Sequence, residues 1–196
     1  MIGYLNGDIY IIEPTLFIVE VGGIGYEVKV SLSTYSKLKD KKKAKIFTYL
    51  NIKEDAHTLF GFYDQNEKAL FIQLISVSGV GPSIAIMMLS SMEVTEIQEA
   101  IASENVGIIK GVKGIGTKTA ERVILELKDK VRKGFGSDKT FSIIPDHKTI
   151  REEAVIALIT LGIQKNMAEK SVNIILKNAD KEISLEDVIK QALKTA

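Results

Sequence analysis

Two short segments carry residue types suited to holding phosphate. Val77-Ser78-Gly79-Val80-Gly81-Pro82-Ser83-Ile84-Ala85 aligns with Val112-Lys113-Gly114-Ile115-Gly116-Thr117-Lys118-Thr119-Ala120 at an offset of 35 residues. Each places one apolar residue between two glycines, and an apolar-periodic helix follows. Glycine accepts φ > 0 without steric cost, so both turns can be very tight while Val80 or Ile115 tucks inward. The helix that follows opens with unpaired N–H groups and the positive end of its dipole. With no side chain at the turn, a phosphate can come close to those groups. Ser83 and Thr117 lie near the helix starts, and their hydroxyls can also donate. Lys118 and Arg122 are four residues apart on one helix face, so both can reach the same backbone.

A single Gly-apolar-Gly turn reads more readily as a close helix–helix connection than as a site. Two copies at a fixed offset, one opening on a basic helix, favour binding. The pattern resembles the helix-hairpin-helix, which implies a grip on a nucleic-acid backbone without reading base identity.

Overall charge points the other way. The chain has 196 residues with 26 Lys and Arg against 25 Asp and Glu. The signal is local: from Lys110 to Lys133 there are eight basic residues against Glu121, Glu126 and Asp129. A second run, Lys37, Lys39, Lys41, Lys42, Lys43 and Lys45, reads as well as a solvated loop as it does a DNA contact.

Several chemistries are excluded or lack support. There is no Cys, hence no disulfide, thiolate nucleophile or Cys-ligated metal. His57 and His147 are the two histidines, and neither has triad or metal-site spacing. No G-x-x-x-x-G-K-[ST] occurs, so no P-loop ATP site is expected. No spaced acidic cluster suggests a metal nuclease. The expectation is no catalytic residue, no metal and no cofactor. The first residues lack a signal peptide's pattern, and no apolar run approaches the roughly 20 residues of a membrane span. A cytoplasmic setting is therefore expected, with no membrane partner.

The elements that must carry these residues change along the chain. Residues 1–63 read as β, with strands at Ile9–Ile12, Leu16–Val21, Gly25–Val30, Ile46–Ile52 and Thr58–Tyr63. Asn6-Gly7-Asp8 and Gly22-Gly23-Ile24-Gly25 supply turn chemistry. Five short strands suggest an OB-fold barrel. Residues 64–133 read as helices and tight turns. Asp64 with Glu67, and Thr95 with Gln98, have capping-box spacing, and Thr117 opens a longer helix. Residues 134–148 read as a flexible linker able to span roughly 50 Å when extended. Residues 149–196 read as a three-helix module, with Thr149/Glu152 and Ser184/Asp187 as cap pairs and a helix near Met167–Leu176. Leu161-Gly162-Ile163 marks a turn in that module. Leu161 is expected in the core, and Ile163 is a weak candidate for contacting a partner.

Taken together, the chain resembles the RuvA family, Holliday-junction-binding subunits of the bacterial branch-migration machinery. The resemblance rests on Ile75-Ser76-Val77-Ser78-Gly79-Val80-Gly81-Pro82, on Gly114-Ile115-Gly116-Thr117-Lys118-Thr119-Ala120-Glu121-Arg122, and on Glu54-Asp55-Ala56 followed by Leu59-Phe60-Gly61-Phe62. It implies an N-terminal OB-fold, a middle domain with two helix-hairpin-helix motifs and a mobile C-terminal domain. It also implies binding to four-way DNA junctions as a homotetramer, sometimes paired as an octamer. A RuvB-type hexameric ATPase would dock on the C-terminal domain, and a RuvC-type junction nuclease would be a further associate. Glu54 and Asp55 match the family's acidic pin, although residue type alone reads them as an exposed polar turn. Family members often carry basic residues where this chain has Ser83 and Thr117, so the first hairpin is expected to bind more weakly or to depend more on other lysines.

Two other functions fit the hairpins. One is a repair nuclease or ligase fragment that uses them only for docking, which lacks a supporting catalytic signature. The other is a general duplex-binding structural protein, which would not prefer junctions.

Overall fold

The computed structural model describes residues 1–135, 150–178 and 183–195. The chain divides into two compact units, Met1–Phe141 and Ser142–Ala196. The expected linker lies outside the described residues, apart from residues 134 and 135, which continue a helix.

The first unit begins with five strands: β1 (Tyr4–Glu13), β2 (Leu16–Val21), β3 (Ile24–Val30), β4 (Lys43–Ile52) and β5 (His57–Phe62). They close a barrel in the order β1-β2-β3-β5-β4, with β3 and β5 parallel. Alternation places Phe17 and Val19 of β2, and Val28 and Val30 of β3, inside the barrel. The expected barrel is therefore present, with two corrections. Asn6-Gly7-Asp8 is not a turn but lies inside β1, paired with Ala44 and its neighbours on β4. Gly7 is there because the barrel wall leaves no room: a Cβ would lie 2.0 Å from the Glu20 carbonyl oxygen. The second correction is a helix, α1 (Leu32–Leu38), within the stretch read as all β. Ser31 caps it by accepting the Thr34 N–H.

Five further helices complete this unit: α2 (Gln65–Ile75), α3 (Pro82–Ser91), α4 (Val94–Ala102), α5 (Val106–Lys110) and α6 (Thr117–Phe135). Asp64 caps α2, accepting the Glu67 N–H at 2.9 Å. Glu67 does not complete the capping box. Its carboxylate is buried and accepts from the Ser31 and Thr34 hydroxyls and from the Tyr63 N–H. Four residues thereby tie α1 and the end of β5 to α2. Beside them Phe71 packs against Tyr49, Phe60 and Phe62, with ring centroids 5.4, 5.3 and 4.8 Å away. At α4 the capping pair is Glu93/Glu96, not Thr95/Gln98: the Glu96 carboxylate accepts the Glu93 N–H at 2.8 Å.

The second unit holds α7 (Ile150–Thr160), α8 (Lys165–Asn178) and α9 (Leu185–Thr195) around Leu158, Ala168, Val172 and Val188. Ser184 caps α9 as expected, accepting the Asp187 N–H at 3.1 Å. Thr149 lies outside the described residues.

Candidate nucleic-acid interface

The 35-residue sequence repeat is a structural repeat. Gly79 and Gly114 have φ of +93° and +91°, a conformation that side-chain-bearing residues rarely adopt. Each is followed by a buried apolar residue whose N–H turns back two residues beyond the glycine: Val80 to the Val77 carbonyl at 3.0 Å, Ile115 to the Val112 carbonyl at 3.1 Å. Each second glycine then starts a helix, Ala85 N–H bonding to Gly81 and Ala120 N–H to Gly116, both at 3.0 Å. α2 and α3 flank the first turn, and α5 and α6 the second.

Both turns are open to an incoming group. A Cβ built at Gly81, Gly114 or Gly116 would meet nothing within 4 Å. Ser83, Thr117 and Lys118 are exposed beside them. No side chain caps α3, whereas Ser31, Asp64 and Asn105 cap α1, α2 and α5. Pro82 occupies the first helical position, where its missing N–H costs nothing. The donors of the next residues are left for an external acceptor. In chemical terms, the first hairpin offers N–H groups and no charge, and the second offers the same turn with Lys113 and Lys118.

The basic stretch is only partly available. Lys128 and Arg132 reach the Glu104 carboxylate at 3.7 and 3.1 Å, and Arg132 also donates to the Ala102 carbonyl. These two hold the α4–α5 connection onto α6. Arg122 is also engaged. Its guanidinium donates to the Ser78 carbonyl at 3.2 Å, across 44 residues of sequence. Helix periodicity, which places Arg122 beside Lys118, contains no information about this contact.

Glu54 and Asp55 sit exposed at the tip of the β4–β5 hairpin. The hairpin closes with Ile52 paired to His57 and the Lys53 N–H bonded to the Ala56 carbonyl at 2.9 Å. The neighbouring lysine run is not one loop. Lys37 lies in the last turn of α1 and pairs with Glu93 at 3.8 Å, Lys43 pairs with Asp8 at 3.4 Å, and Lys45 lies over the Tyr4 ring at 4.3 Å. Lys39, Lys41 and Lys42 remain exposed between α1 and β4. Among the described residues no group of three or more His, Asp or Glu side chains could hold a metal ion. No described helix is long and apolar enough to cross a membrane.

In the second unit the two apolar side chains at the α7–α8 turn exchange their expected places. Leu161 is 59% exposed, while Ile163 is partly buried against the core. The cause is the turn geometry. Gly162 has φ +95°, and the Gly162 and Ile163 N–H groups bond back to Ile159 and Leu158, both at 3.0 Å. That pairing is a Schellman motif, which folds the residue after the glycine onto the helix it terminates.

A closed β-barrel, paired helix-hairpin-helix turns and a separate three-helix unit define a multidomain protein of the OB-fold and helix-hairpin-helix class. Residues 1–61 match the RuvA N-terminal domain, 71–129 the SAM-like helix-hairpin-helix tandem, and 149–196 the RuvA C-terminal domain. Curated relatives named Holliday junction branch migration complex subunit RuvA align over nearly their whole length. The one from Cytophaga hutchinsonii is 54% identical, and the one from Christiangramia forsetii 49%, each covering 99% of both chains. A third, from Bacteroides fragilis, is 40% identical over the same share. The chain belongs to the RuvA family.

Proposed function

We propose that this chain binds four-way DNA junctions by their backbones and presents them for branch migration as a non-catalytic subunit of an ATP-driven complex. The observation that carries this is the pair of matching open turns, in a chain that aligns end to end with RuvA subunits. Backbone N–H groups around Gly79, Val80 and Gly81, and around Gly114, Ile115 and Gly116, hold phosphates of an arm, with the Ser83 and Thr117 hydroxyls assisting. Lys118 adds charge at the second turn. Such contacts fix register on the duplex without reading sequence.

Glu54 and Asp55 act by repulsion. A carboxylate and a phosphate 4 Å apart repel by about 1 kcal/mol even in water. Placed at the centre of four arms, the pair keeps the crossover open and disfavours a continuous duplex there. The ATP chemistry belongs to a RuvB-type hexameric ATPase, which the three-helix unit engages. A RuvC-type nuclease acts on the same junction. Four copies of the chain, or two such tetramers, surround it.

Competition between a four-way junction and a linear duplex of equal length, at fixed salt, tests this reading. Junction preference is expected. The double variant Glu54→Gln, Asp55→Asn should narrow that preference roughly tenfold, about 1.4 kcal/mol, mainly by tightening duplex binding. Equal affinity of the unaltered chain for both DNAs would make it a general duplex binder. DNA cleavage or joining that persists through purification would favour the nuclease or ligase reading.

A further inference from the structure

The two hairpins share a turn but not a set of neighbours. Around the first turn, Ser76 to Ser83 contain no charged side chain, so nothing there compensates for a loosely held backbone. Around the second, Lys110, Lys113 and Lys118 are all exposed. The first turn instead receives support from the second hairpin. Arg122 donates to the Ser78 carbonyl, one residue before Gly79. The Thr119 side chain lies 3.8–3.9 Å from where a Gly79 Cβ would be. Thr119 and Arg122 are three apart on α6, so one face of that helix rests along the first turn.

The repeat supplies an internal comparison. Shifted by 35 residues, Arg122 becomes Met87, Thr119 becomes Ile84 and Ser78 becomes Lys113. Met87 has no donor, so the reciprocal brace from α3 to the second turn cannot form. A Cβ at Gly114 meets nothing within 4 Å, unlike one at Gly79. The turn with lysines lacks this brace, and the turn without them has it.

We infer that Arg122 is a positioning residue: it sets the first turn's N–H groups in place for phosphate through the Ser78 carbonyl, rather than contributing its charge to the DNA. The inference rests on the hairpins being the phosphate grip. A turn that binds through backbone donors alone gains from being held in its bound shape, because less ordering is left to do on binding. Arginine suits the role because the Nη1 that donates to Ser78 lies one bond farther along the side chain than a lysine Nζ would.

The test compares Arg122→Met, Arg122→Lys and Lys118→Met in the full chain, measuring junction affinity across a salt series and amide hydrogen exchange without DNA. Each phosphate contact contributes about 0.9 to the slope of log affinity against log salt. Arg122→Met should lose roughly tenfold in affinity per bound chain, the scale of one hydrogen bond to a charged group, with the slope unchanged. Exchange should quicken at Gly79 to Ile84 and stay unchanged at Gly114 to Thr119, which a general loss of stability would not produce. Arg122→Lys keeps the charge but ends one bond short of the Nη1 that reaches Ser78, and should show the same local exchange. A slope reduced by 0.9 or more per bound chain in Arg122→Met, with affinity and slope restored in Arg122→Lys, would overturn the inference. Unchanged exchange at the first turn would do so too. Lys118→Met should lower the slope; if it does not, the reading of the hairpins as the phosphate grip fails, independently of the brace.

Discussion

Glu67 shows what residue spacing can and cannot say. Its position three residues after Asp64 marks a helix start, and α2 does start there. Its side chain does something unrelated to capping: it is buried and takes donors from Ser31, Thr34 and Tyr63. Burial raises its pKa above the ordinary 4.5, and the three hydrogen bonds and Lys37 only partly oppose this. The sign for stability follows. The folded chain holds this proton more tightly than the unfolded chain does, so lowering pH through the raised value stabilises the fold, and the gain levels off below 4.5. Glu67→Gln cannot titrate. The melting temperature of the unaltered chain should therefore rise relative to the Glu67→Gln variant as pH falls from 7 toward 4.5. A pH-independent difference between the two would show that burial does not control this carboxyl. Arg122 makes the same point about legibility. Its helix face was readable from spacing, but its partner across 44 residues depends on how two hairpins pack.

At the scale of elements, the repeated turn was legible because two glycines around one apolar residue leave few conformations. The structure also separates the jobs of the two glycines. Gly79 is required by φ +93°, and the space around it would admit a methyl group at ordinary contact distance. Gly81 has an ordinary φ of −86° and open space in front of it. Gly79→Ala should thus cost about 1–2 kcal/mol of stability through backbone strain. Gly81→Ala should cost less than about 1 kcal/mol, since alanine is only a poorer helix cap. On the proposed phosphate grip it should nonetheless weaken junction binding, because the added methyl fills the open space through which a phosphate would approach the N–H groups. Thermal melts alongside junction titrations distinguish the two; equal destabilisation by both substitutions would contradict this division. Less legible elements had physical reasons. Asn6-Gly7-Asp8 looked like a turn because Gly and Asn favour turns, but Gly7 is demanded by close backbone contact inside a strand. α1 has only seven residues, too few for apolar periodicity to stand out. The Leu161–Ile163 exchange depends on the backbone turn at Gly162 rather than on hydrophobicity, which is similar for both side chains.

Across the whole molecule, a near-zero net charge conceals an uneven placement of charges. Basic groups stand at the second hairpin, carboxylates stand at the tip of the β4–β5 hairpin, and several remaining charges are paired within the fold, as with Glu104, Lys128 and Arg132. One chain therefore carries a small exposed basic group at the second hairpin, Lys110, Lys113 and Lys118. On the proposed reading that several copies surround one junction, the salt dependence can count them, because a substitution in a homo-oligomer is made in every copy. If four chains each hold phosphate through Lys118, Lys118→Met should lower the slope of log affinity against log salt by about 3.6, four times the 0.9 of one contact. Two engaged chains would give about 1.8, and a single chain about 0.9. Sedimentation checks the count independently: a tetramer should run at about four times the 21.6 kDa chain mass without DNA, and at that mass plus the DNA's when bound to a junction. A chain that sediments as a monomer even on junction DNA, with a slope change near 0.9, would refute the tetramer. A tetramer with a slope change near 1.8 would mean that only two of its four second hairpins grip DNA, leaving the other two arms to the uncharged first turns.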